Sequence, residues 1–246
     1  MDRIFEAQEA RAYEDWLDTP VGREYQWAST RLLGHVLDCR PGWRVLDVGC
    51  GLGVHLAYLR ERGLLCSGLE AGPVTARVAQ QRLGPQVEVE VGDAHDLPYE
   101  DNSFDAVTLV NTLELVDRPA QVLAEAARVA AARVCVITFN PFSYANLARL
   151  LRRGFHPLAG GRPLPVWSLR RLVRQVLGPV PRTWAGASLW PRLSPAPWPL
   201  AGLVGVCAAV TPLLRTRPLL VPAAGSRNPA RPAHSHGRLT VVQRGE

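Results

Sequence analysis

The sequence predicts an α/β protein built on a doubly wound, mostly parallel sheet. Between residues 43 and 140, short apolar runs typical of buried strands alternate with segments of helical periodicity. The first apolar run ends in a glycine-rich loop that leads directly into a helix. Hydrophobic residues make up 47% of the 246 residues, which is enough for a sizeable core. Strands and helices that alternate at this spacing form right-handed β-α-β units, so helices are expected on both faces of the sheet.

The predicted elements follow in a regular order along the first part of the chain. Residues 1–40 are expected to form a helical cap, because the apolar residues near its end have helical spacing. Five segments predict strands, namely WRVLDVG, LLCSGLE, QVEVEV, FDAVTLV and RVCVITF. Three segments between them predict helices, namely VHLAYLRERG, PVTARVAQQRLG and RPAQVLAEAARVAAA. Asp117 is the expected N-cap of the last of these helices.

The remainder of the chain is less regular. SLRRLVRQVLG predicts a helix with Ser168 as its N-cap, and RTWAGASLW predicts a sixth strand. GRLTVVQR, at 237–244, is expected to close the sheet. The chain therefore divides into a helical cap (1–40), an α/β core (41–183), a Trp-, Pro- and Arg-rich insertion or lid (184–236) and a closing strand (237–246).

Charge is distributed unevenly along the chain, whose formal net charge is +6. Residues 1–125 hold 21 of the 22 acidic residues, whereas residues 126–246 hold 17 arginines and a single acid, Glu246. Because guanidinium groups suit carboxylate and phosphate partners, the second half predicts an anionic partner, which could be a membrane surface, a nucleic acid or an acidic substrate. The alternative is that the two halves neutralise each other within one fold.

Cysteine usage and the N-terminal segment both favour a cytoplasmic protein. The five cysteines form no C-x-x-C pair, and Cys50, Cys66 and Cys135 lie in or beside apolar runs. We therefore expect reduced, buried thiols, with neither a disulfide framework nor a metal site. The N-terminal segment MDRIFEAQEARAYEDW is acidic and amphipathic, unlike a signal peptide.

A second expectation for the location is peripheral contact with a membrane. Trp184, Trp190 and Trp198 precede the apolar residues 199–214, and the region 184–224 has the pattern of an interfacial anchor. The apolar stretch is too short and too interrupted by proline to span a bilayer. The alternative is a core helix beneath a Trp-rich lid.

The stretch VLDVGCGLG, at 45–53, carries the clearest functional signal. Glycines after a buried strand let the chain turn sharply and bring its backbone close to a ligand at the carboxyl edge of the sheet. N–H groups at the start of the following helix favour a negative or polar ligand group. A dinucleotide fingerprint would need a small residue where Val54 stands, so a nicotinamide oxidoreductase is disfavoured.

The order D-x-G-x-G-x-G after a strand resembles motif I of the class I S-adenosylmethionine-dependent methyltransferases, and residues 43–140 are most similar to their type 11 group. The resemblance implies a Rossmann-like sheet of seven strands, of which the last is antiparallel. It also implies that Asp47 orients the loop and the methionine amino group of S-adenosylmethionine. The loop residues that would contact this cofactor are Gly49, Cys50, Gly51 and Gly53.

Two further segments fit the same cofactor. Glu70 ends the second predicted strand about 20 residues beyond the glycine loop, where an acid can bind both ribose hydroxyls, and Ala71 follows it. GDAHDLPYEDNSFDAV, at 92–107, resembles the family's third-strand segment. This resemblance implies that Asp93 accepts a hydrogen bond from the adenine amine and that the backbone of Ala94 contacts the ring. His95 is expected on a surface loop.

Two more parts of the expected site come from other regions of the chain. By the resemblance, Asn111 borders the cofactor after the fourth strand, and Thr112 and Leu113 line the same edge. The segment AYEDWLDTPVGREYQW, at 12–27, resembles a helix that folds over the cofactor, with Tyr13 as the expected cover. Packing of its aromatic side chains on the sheet is the alternative.

The expected reaction is methyl transfer by in-line displacement to a small, hydrophobic or anionic acceptor, with S-adenosylhomocysteine as the product. O- or C-methylation is favoured. Because the methyl group is already activated, alignment supplies much of the acceleration, and a general base is optional. No catalytic residue is therefore assigned, and the candidate bases are His55, Glu114, Asp117 and His156. The alternatives are a nucleic-acid methyltransferase that uses the basic second half and a methyltransferase-like binding module without turnover.

Overall fold

A computed structural model of the chain describes residues 7–143, 161–188 and 193–212. Its centre is a sheet of seven strands in the order β3-β2-β1-β4-β5-β7-β6. Their bounds are β1 (Arg44–Val48), β2 (Leu65–Glu70), β3 (Glu88–Val91), β4 (Phe104–Val110), β5 (Ala130–Phe139), β6 (Arg182–Ala187) and β7 (Leu203–Ala209). The first five strands pair in parallel, and β7 pairs antiparallel with both β5 and β6. The predicted doubly wound, mostly parallel sheet of seven strands is confirmed.

Helices cover both faces of this sheet. They are α1 (Ala7–Leu17), α2 (Pro20–Leu37), α3 (Val54–Glu61), α4 (Pro73–Leu83), α5 (Pro119–Val129) and α6 (Val166–Leu177). Leu32 and Leu56, from α2 and α3, belong to one buried apolar cluster. Leu123 and Leu169, from α5 and α6, belong to a second cluster. The glycine loop and the strand ends that form the site are thus held between two packed layers.

Two helices, Ala7–Leu17 and Pro20–Leu37, lie within the predicted helical cap, and the local sequence explains where α2 begins. The Thr19 hydroxyl accepts a hydrogen bond from the Gly22 N–H at 3.0 Å. Pro20 follows as the first residue of the helix, where a missing N–H costs nothing. The helix then runs across β5, β6 and β7 and buries Tyr25 completely.

Two predicted helix starts are wrong by one or three residues. The N-cap of α5 is Arg118 and not Asp117, because Pro119 takes the first helical position and the acid stands one residue too early. The N-cap of α6 is Pro165 and not Ser168. Val166 is buried in the core, so apolar packing extends this helix upstream of the serine.

The antiparallel strand of the sheet is Leu203–Ala209. The strand predicted at 237–244 lies outside the described residues. A continuous apolar run such as LVGVCAA lacks the alternation that distinguishes a strand from a buried helix. The sequence alone therefore does not predict a strand at Leu203–Ala209. Because β6 crosses residue 184 and β7 lies wholly beyond it, the sheet continues into the segment predicted as an insertion or lid, 184–236.

The predicted interfacial anchor is wrong for its central residues. Leu203–Ala209 hydrogen-bonds to a neighbouring strand on each side and buries its side chains, so it cannot lie on a membrane surface. Trp184 belongs to β6, and the Arg170 guanidinium stands 5.4 Å from the centre of its ring. Trp190 and residues 213–224 are outside the described part of the chain. Within that part, no helix has the length and apolar character needed to cross a bilayer.

Candidate active site

The turn from β1 into α3 depends on three glycines. Gly49, Gly51 and Gly53 have φ angles of 71°, 54° and 75°, a left-handed region that glycine enters without steric cost. The N–H groups of Gly49 and Cys50 donate to the carbonyl oxygen of Leu69, at 2.7 and 3.1 Å. These bonds tie the loop to the end of β2, so the loop presents its backbone at the carboxyl edge of the sheet.

Glu70 holds this loop from the end of β2. Its Oε2 accepts from the Gly51 N–H at 2.9 Å, and its Oε1 accepts from the Gly72 N–H at 3.0 Å. The side chain is buried, and this desolvation raises its pKa, although the bonds from the backbone N–H groups oppose the shift. The Gly51 N–H is therefore already bonded to a carboxylate before any ligand binds.

A cleft opens at this edge and includes side chains from both N-terminal helices. It encloses about 870 Å³ of empty space, including the part open to solvent. The predicted residues that line it are Tyr13, Gly49, Cys50, Gly51, His55, Glu70, Ala71, Asp93, Ala94, Asn111 and Thr112. Six further residues line the cleft that the sequence does not indicate, namely Tyr25, Leu69, Gly92, Val110, Leu115 and Val116.

Three predicted residues lie behind this surface and do not line it. Asp47 is buried in β1, where its Oδ1 accepts from the Thr108 hydroxyl at 2.6 Å, and burial raises its pKa to about 7. Gly53 stands at the start of α3, and a Cβ there would come within 2.8 Å of the Leu83 side chain. Leu113 is buried in the core. Asp47 and Gly53 can therefore support the loop only through its conformation and packing.

Asp93 forms a compact turn after β3. Its side chain is 60% exposed, and its Oδ1 accepts from both the backbone N–H and the ring Nδ1 of His95, each at 2.8 Å. The bond from the backbone of His95 is the largest of the effects that lower the pKa of Asp93. His95 is buried, so its predicted surface position is wrong.

Asn111 joins the end of β4 to the N-terminal helices. It has a φ of 54°, which asparagine tolerates better than most residues. Its Nδ2 donates to the Tyr25 hydroxyl at 2.7 Å, and the Tyr25 and Tyr13 hydroxyls are hydrogen-bonded to each other. Among the residues that the structure describes, the buried Oδ1 of Asn111 has no hydrogen-bond partner. This network connects α1, α2 and β4 across the cleft.

Of the four candidate bases, His55 is the one that lines the cleft. Its Nε2 lies 3.0 Å from the Ser29 hydroxyl, and its ring packs edge-on against Tyr25. Burial lowers the pKa of His55 to about 4. The imidazole is therefore neutral at pH 7 and is a weak base.

The other candidates stand elsewhere. Glu114 is buried beside β5, where its Oε1 accepts from the Thr138 hydroxyl at 3.0 Å and burial raises its pKa to about 7. It does not line the cleft, and Asp117 is exposed just before α5. His156 lies outside the described residues. Across the ranges that are described, no cluster of metal-ligating side chains occurs.

Tyr25 lines the cleft and bonds to Asn111, but the sequence does not predict it in the site. It shares the aromatic segment 12–27 with Tyr13, but it lies in the next helix, beyond Thr19 and Pro20. Its hydroxyl reaches the cleft because α2 folds back over the sheet and the ring stacks on Phe139, 5.3 Å away. An aromatic residue in a predicted amphipathic helix is expected to be buried. The sequence does not indicate which strand end Tyr25 contacts.

Comparisons with known proteins agree with this geometry. Residues 46–136 match the family described as Methyltransferase domain. The chain is 34% identical over 139 residues to demethylmenaquinone methyltransferase of Renibacterium salmoninarum, covering 54% of this chain and 57% of that protein. It is 36% identical over 136 residues to an uncharacterized 37.1 kDa transposon protein of Streptomyces fradiae, covering 52% of this chain and 38% of that protein. The chain therefore spans less than two thirds of the length of either relative.

Two solved structures share the fold over most of the chain. An S-adenosylmethionine-dependent methyltransferase of Thermotoga maritima gives a TM-score of 0.68 at 20% identity, covering 82% of this chain and 96% of that one. Magnesium protoporphyrin IX methyltransferase of Synechocystis, solved with bound S-adenosylhomocysteine, gives 0.64 at 15% identity, covering 84% and 96%. Residues 46–136 therefore match a methyltransferase domain, and the chain shares the fold of these two solved methyltransferases.

Proposed function

We propose that this chain binds S-adenosylmethionine and transfers its methyl group by in-line displacement to a small, hydrophobic or anionic acceptor. O- or C-methylation is favoured. The observation that carries the proposal is the bond between the Glu70 carboxylate and the Gly51 N–H, made at the wall of a cleft that also contains Asp93 and Asn111. The order of these groups, from glycine loop to ribose acid to adenine acid, is the order that the family resemblance implies.

The residues of the cleft fit this cofactor. A Cβ built at Gly51 would meet only Tyr13 Cε1, at 3.8 Å, so the loop leaves open space above its backbone. The Glu70 oxygens accept backbone bonds from Gly51 and Gly72, and an ionised carboxylate has further lone pairs that suit ribose hydroxyls. The unpaired Oδ1 of Asn111 is an acceptor suited to an ammonium group.

The protein contributes chiefly binding and alignment to this reaction. When bound, S-adenosylmethionine supplies a methyl group already activated by its sulfonium charge. Glu70 and Asp93 accept hydrogen bonds from the nucleoside and fix its position, while the glycine loop allows close approach of the backbone. Val110, Leu115 and Val116 line the cleft with apolar surface that excludes water. Holding acceptor and methyl group in line contributes much of the acceleration.

His55 is the proposed base for an acceptor that needs one. The ring nitrogen not bonded to Ser29 can take a proton from the acceptor. Because the pKa of His55 is lowered to about 4, the imidazole removes a proton efficiently only from an acidic acceptor. A phenol or an enol fits this requirement better than an alcohol or an amide.

The charge of the cleft favours a hydrophobic acceptor over a strongly anionic one. Glu70 and Asp93 are the charged residues of its described lining, which holds no arginine. An anionic acceptor would therefore need a cation from elsewhere. Several relatives have names that specify small-molecule acceptors, among them demethylmenaquinone in Renibacterium salmoninarum, tocopherol in Arabidopsis thaliana and ajmaline in Rauvolfia serpentina.

Calorimetry and turnover together test the proposal. We expect one site that binds S-adenosylmethionine and no binding of NADH. We also expect S-adenosylhomocysteine to accumulate with at least one member of a panel of phenols, quinols and carboxylic acids. Binding of the cofactor without turnover on any of them would instead support a binding module. Failure to bind S-adenosylmethionine would overturn the proposal.

The 17 arginines in residues 126–246 are the observation that favours a nucleic-acid acceptor as the second candidate. A gel-shift series with duplex DNA and structured RNA at rising salt separates the two. We expect weak binding that carries no methyl transfer. Tight binding with a steep salt dependence, together with methylation of the nucleic acid, would replace the small-molecule acceptor.

A further inference from the structure

We propose that Cys135 and Cys207 form a reversible dithiol–disulfide site that reacts with a small peroxide. The two residues lie in the middle of β5 and β7 and belong to the apolar cluster beneath α2. Neither lines the cleft, so methyl transfer does not use them. The site is independent of the proposed function.

The strand register places the two thiols opposite each other. Cys135 pairs with Cys207 in the antiparallel ladder between β5 and β7. The Asn140 N–H donates to Gly202 at 3.0 Å, and the Val210 N–H donates to Ala132 at 2.8 Å. In an antiparallel ladder, hydrogen-bonded and non-hydrogen-bonded pairs alternate along the strand. Cys135 lies an odd number of residues from both Asn140 and Ala132, which belong to hydrogen-bonded pairs. The Cys135–Cys207 pair is therefore a non-hydrogen-bonded pair.

A non-hydrogen-bonded pair is the geometry that suits a disulfide between antiparallel strands. Its Cα atoms lie about 4.5 Å apart, and its side chains project from the same face of the sheet. Disulfides span Cα separations of roughly 4.4 to 6.8 Å. The bond can therefore form without moving the backbone of either strand.

The surroundings of the two thiols give them different roles. A hydrogen bond between the two side chains lowers the pKa of Cys207, and Arg133 acts in the same direction. Burial raises the pKa of Cys135 well above its usual value. Arg133 lines the same surface pocket as Cys207, and its positive charge there favours the Cys207 thiolate.

Access from solvent also distinguishes the two. Cys207 lines a surface pocket together with His35, Asp38, Arg133 and Arg182, whereas Cys135 is fully buried behind it. Arg133 bonds to the carbonyl oxygen of Asp38 at 2.9 Å, which fixes its guanidinium at this pocket. A molecule as small as hydrogen peroxide can reach Cys207 first.

The reaction proceeds in two steps. The Cys207 thiolate attacks one oxygen of hydrogen peroxide, which forms an S–O bond, breaks the O–O bond and releases hydroxide. The sulfur of Cys135 then displaces hydroxide from the Cys207 sulfenic acid, and its thiol proton leaves with that hydroxide as water. The two sulfurs give up two electrons, and the peroxide is reduced to water. A dithiol reductant reverses the change by thiol–disulfide exchange.

Peptide mapping of the full chain tests the site. The reduced protein is treated with hydrogen peroxide, its remaining thiols are alkylated, and the digest is analysed without reductant. We expect one cross-linked pair, Cys135 with Cys207, which disappears after treatment with dithiothreitol. Cys39, Cys50 and Cys66 should be recovered alkylated. If all five cysteines are alkylated after peroxide treatment, or if Cys207 is linked to Cys39, the proposal is wrong.

Variants separate the two roles. Cys207→Ala should abolish the cross-link, and Cys135→Ala should stop at a Cys207 sulfenic acid that dimedone traps. Cys66→Ala is the matched control, since it removes a buried thiol from β2 and should keep the cross-link. The map of the unmodified chain decides the proposal even if a variant does not fold.

Discussion

Glu70 and Gly51 are joined by a hydrogen bond of 2.9 Å from the loop N–H to Oε2, while Oε1 accepts from Gly72 at the start of α4. One buried carboxylate therefore fixes two turns of the chain, the loop after β1 and the turn after β2. The acid proposed to bind ribose has a structural task before any ligand arrives. Removing the Glu70 carboxylate should therefore loosen these two turns and also weaken binding of S-adenosylmethionine.

Glu70→Ala should weaken S-adenosylmethionine binding. The variant loses a bidentate, charge-assisted contact of about 1.5–3 kcal/mol, equivalent to roughly 10- to 150-fold in affinity. Isothermal titration calorimetry measures the effect. Glu88→Ala, an exposed acid of β3, is the matched control and should bind like the unmodified chain. An affinity of Glu70→Ala within twofold of that chain would show that the ribose assignment is wrong.

Gly51→Val should abolish binding while the fold survives. Its side chain would enter the space above the loop, and its left-handed φ of 54° would also be strained. Gly84→Val controls for the strain, because Gly84 has a φ of 71° and a Cβ there meets nothing within 4 Å. Circular dichroism should report a folded protein for both, and calorimetry should detect binding only for Gly84→Val. Unchanged affinity in Gly51→Val would refute the role of the loop.

The sequence was sufficient to predict the parallel part of the sheet and the residues of the glycine loop. Strand-and-helix alternation and the spacing of Asp47, Gly49 and Gly51 are local signals, and local signals survive in a single sequence. They do not show which side of a strand a residue faces. Asp47 follows the expected motif, yet its carboxylate turns into the sheet toward Thr108.

The parts that could not be predicted depend on contacts between distant segments. Tyr25 reaches Asn111 across 86 positions of sequence, and no periodicity encodes that distance. The apolar run of β7 has the same pattern as a buried helix, and only its pairing with β5 and β6 decides the outcome. His95 is buried although the sequence predicts it on a surface loop, and both its backbone N–H and its ring Nδ1 bond to Asp93.

Tyr25→Phe should destabilise the protein by about 1 kcal/mol, because the part-buried Asn111 amide would lose its hydrogen-bond partner. Urea unfolding monitored by tryptophan fluorescence measures the loss. Tyr58→Phe is the matched control: no hydrogen bond of its hydroxyl is found among the described residues, so its change should stay within about 0.5 kcal/mol. Equal stabilities for the two variants would contradict a structural role for the network.

Glu114→Gln should change how stability depends on pH. The pKa of Glu114 rises from 4.5 to about 7 on folding, because burial disfavours its charge and its Oε2 has no partner among the described residues. Between these values the folded protein binds the extra proton, so the free energy of unfolding falls as pH rises from about 4.5 to about 7. The loss amounts to about 3 kcal/mol at most by pH 8. Glutamine carries no titrating proton and lacks this loss.

The difference between the two proteins isolates Glu114 from other titrating groups. Asp47, whose pKa is raised to about 7, acts in the same direction, and His55, whose pKa is lowered to about 4, acts in the opposite one. Both are present in each protein and cancel in the difference. Urea unfolding from pH 4.5 to 8 should show Glu114→Gln gaining about 1–3 kcal/mol relative to the unmodified chain as pH rises. A flat difference would mean that Glu114 is ionised in the folded protein without cost.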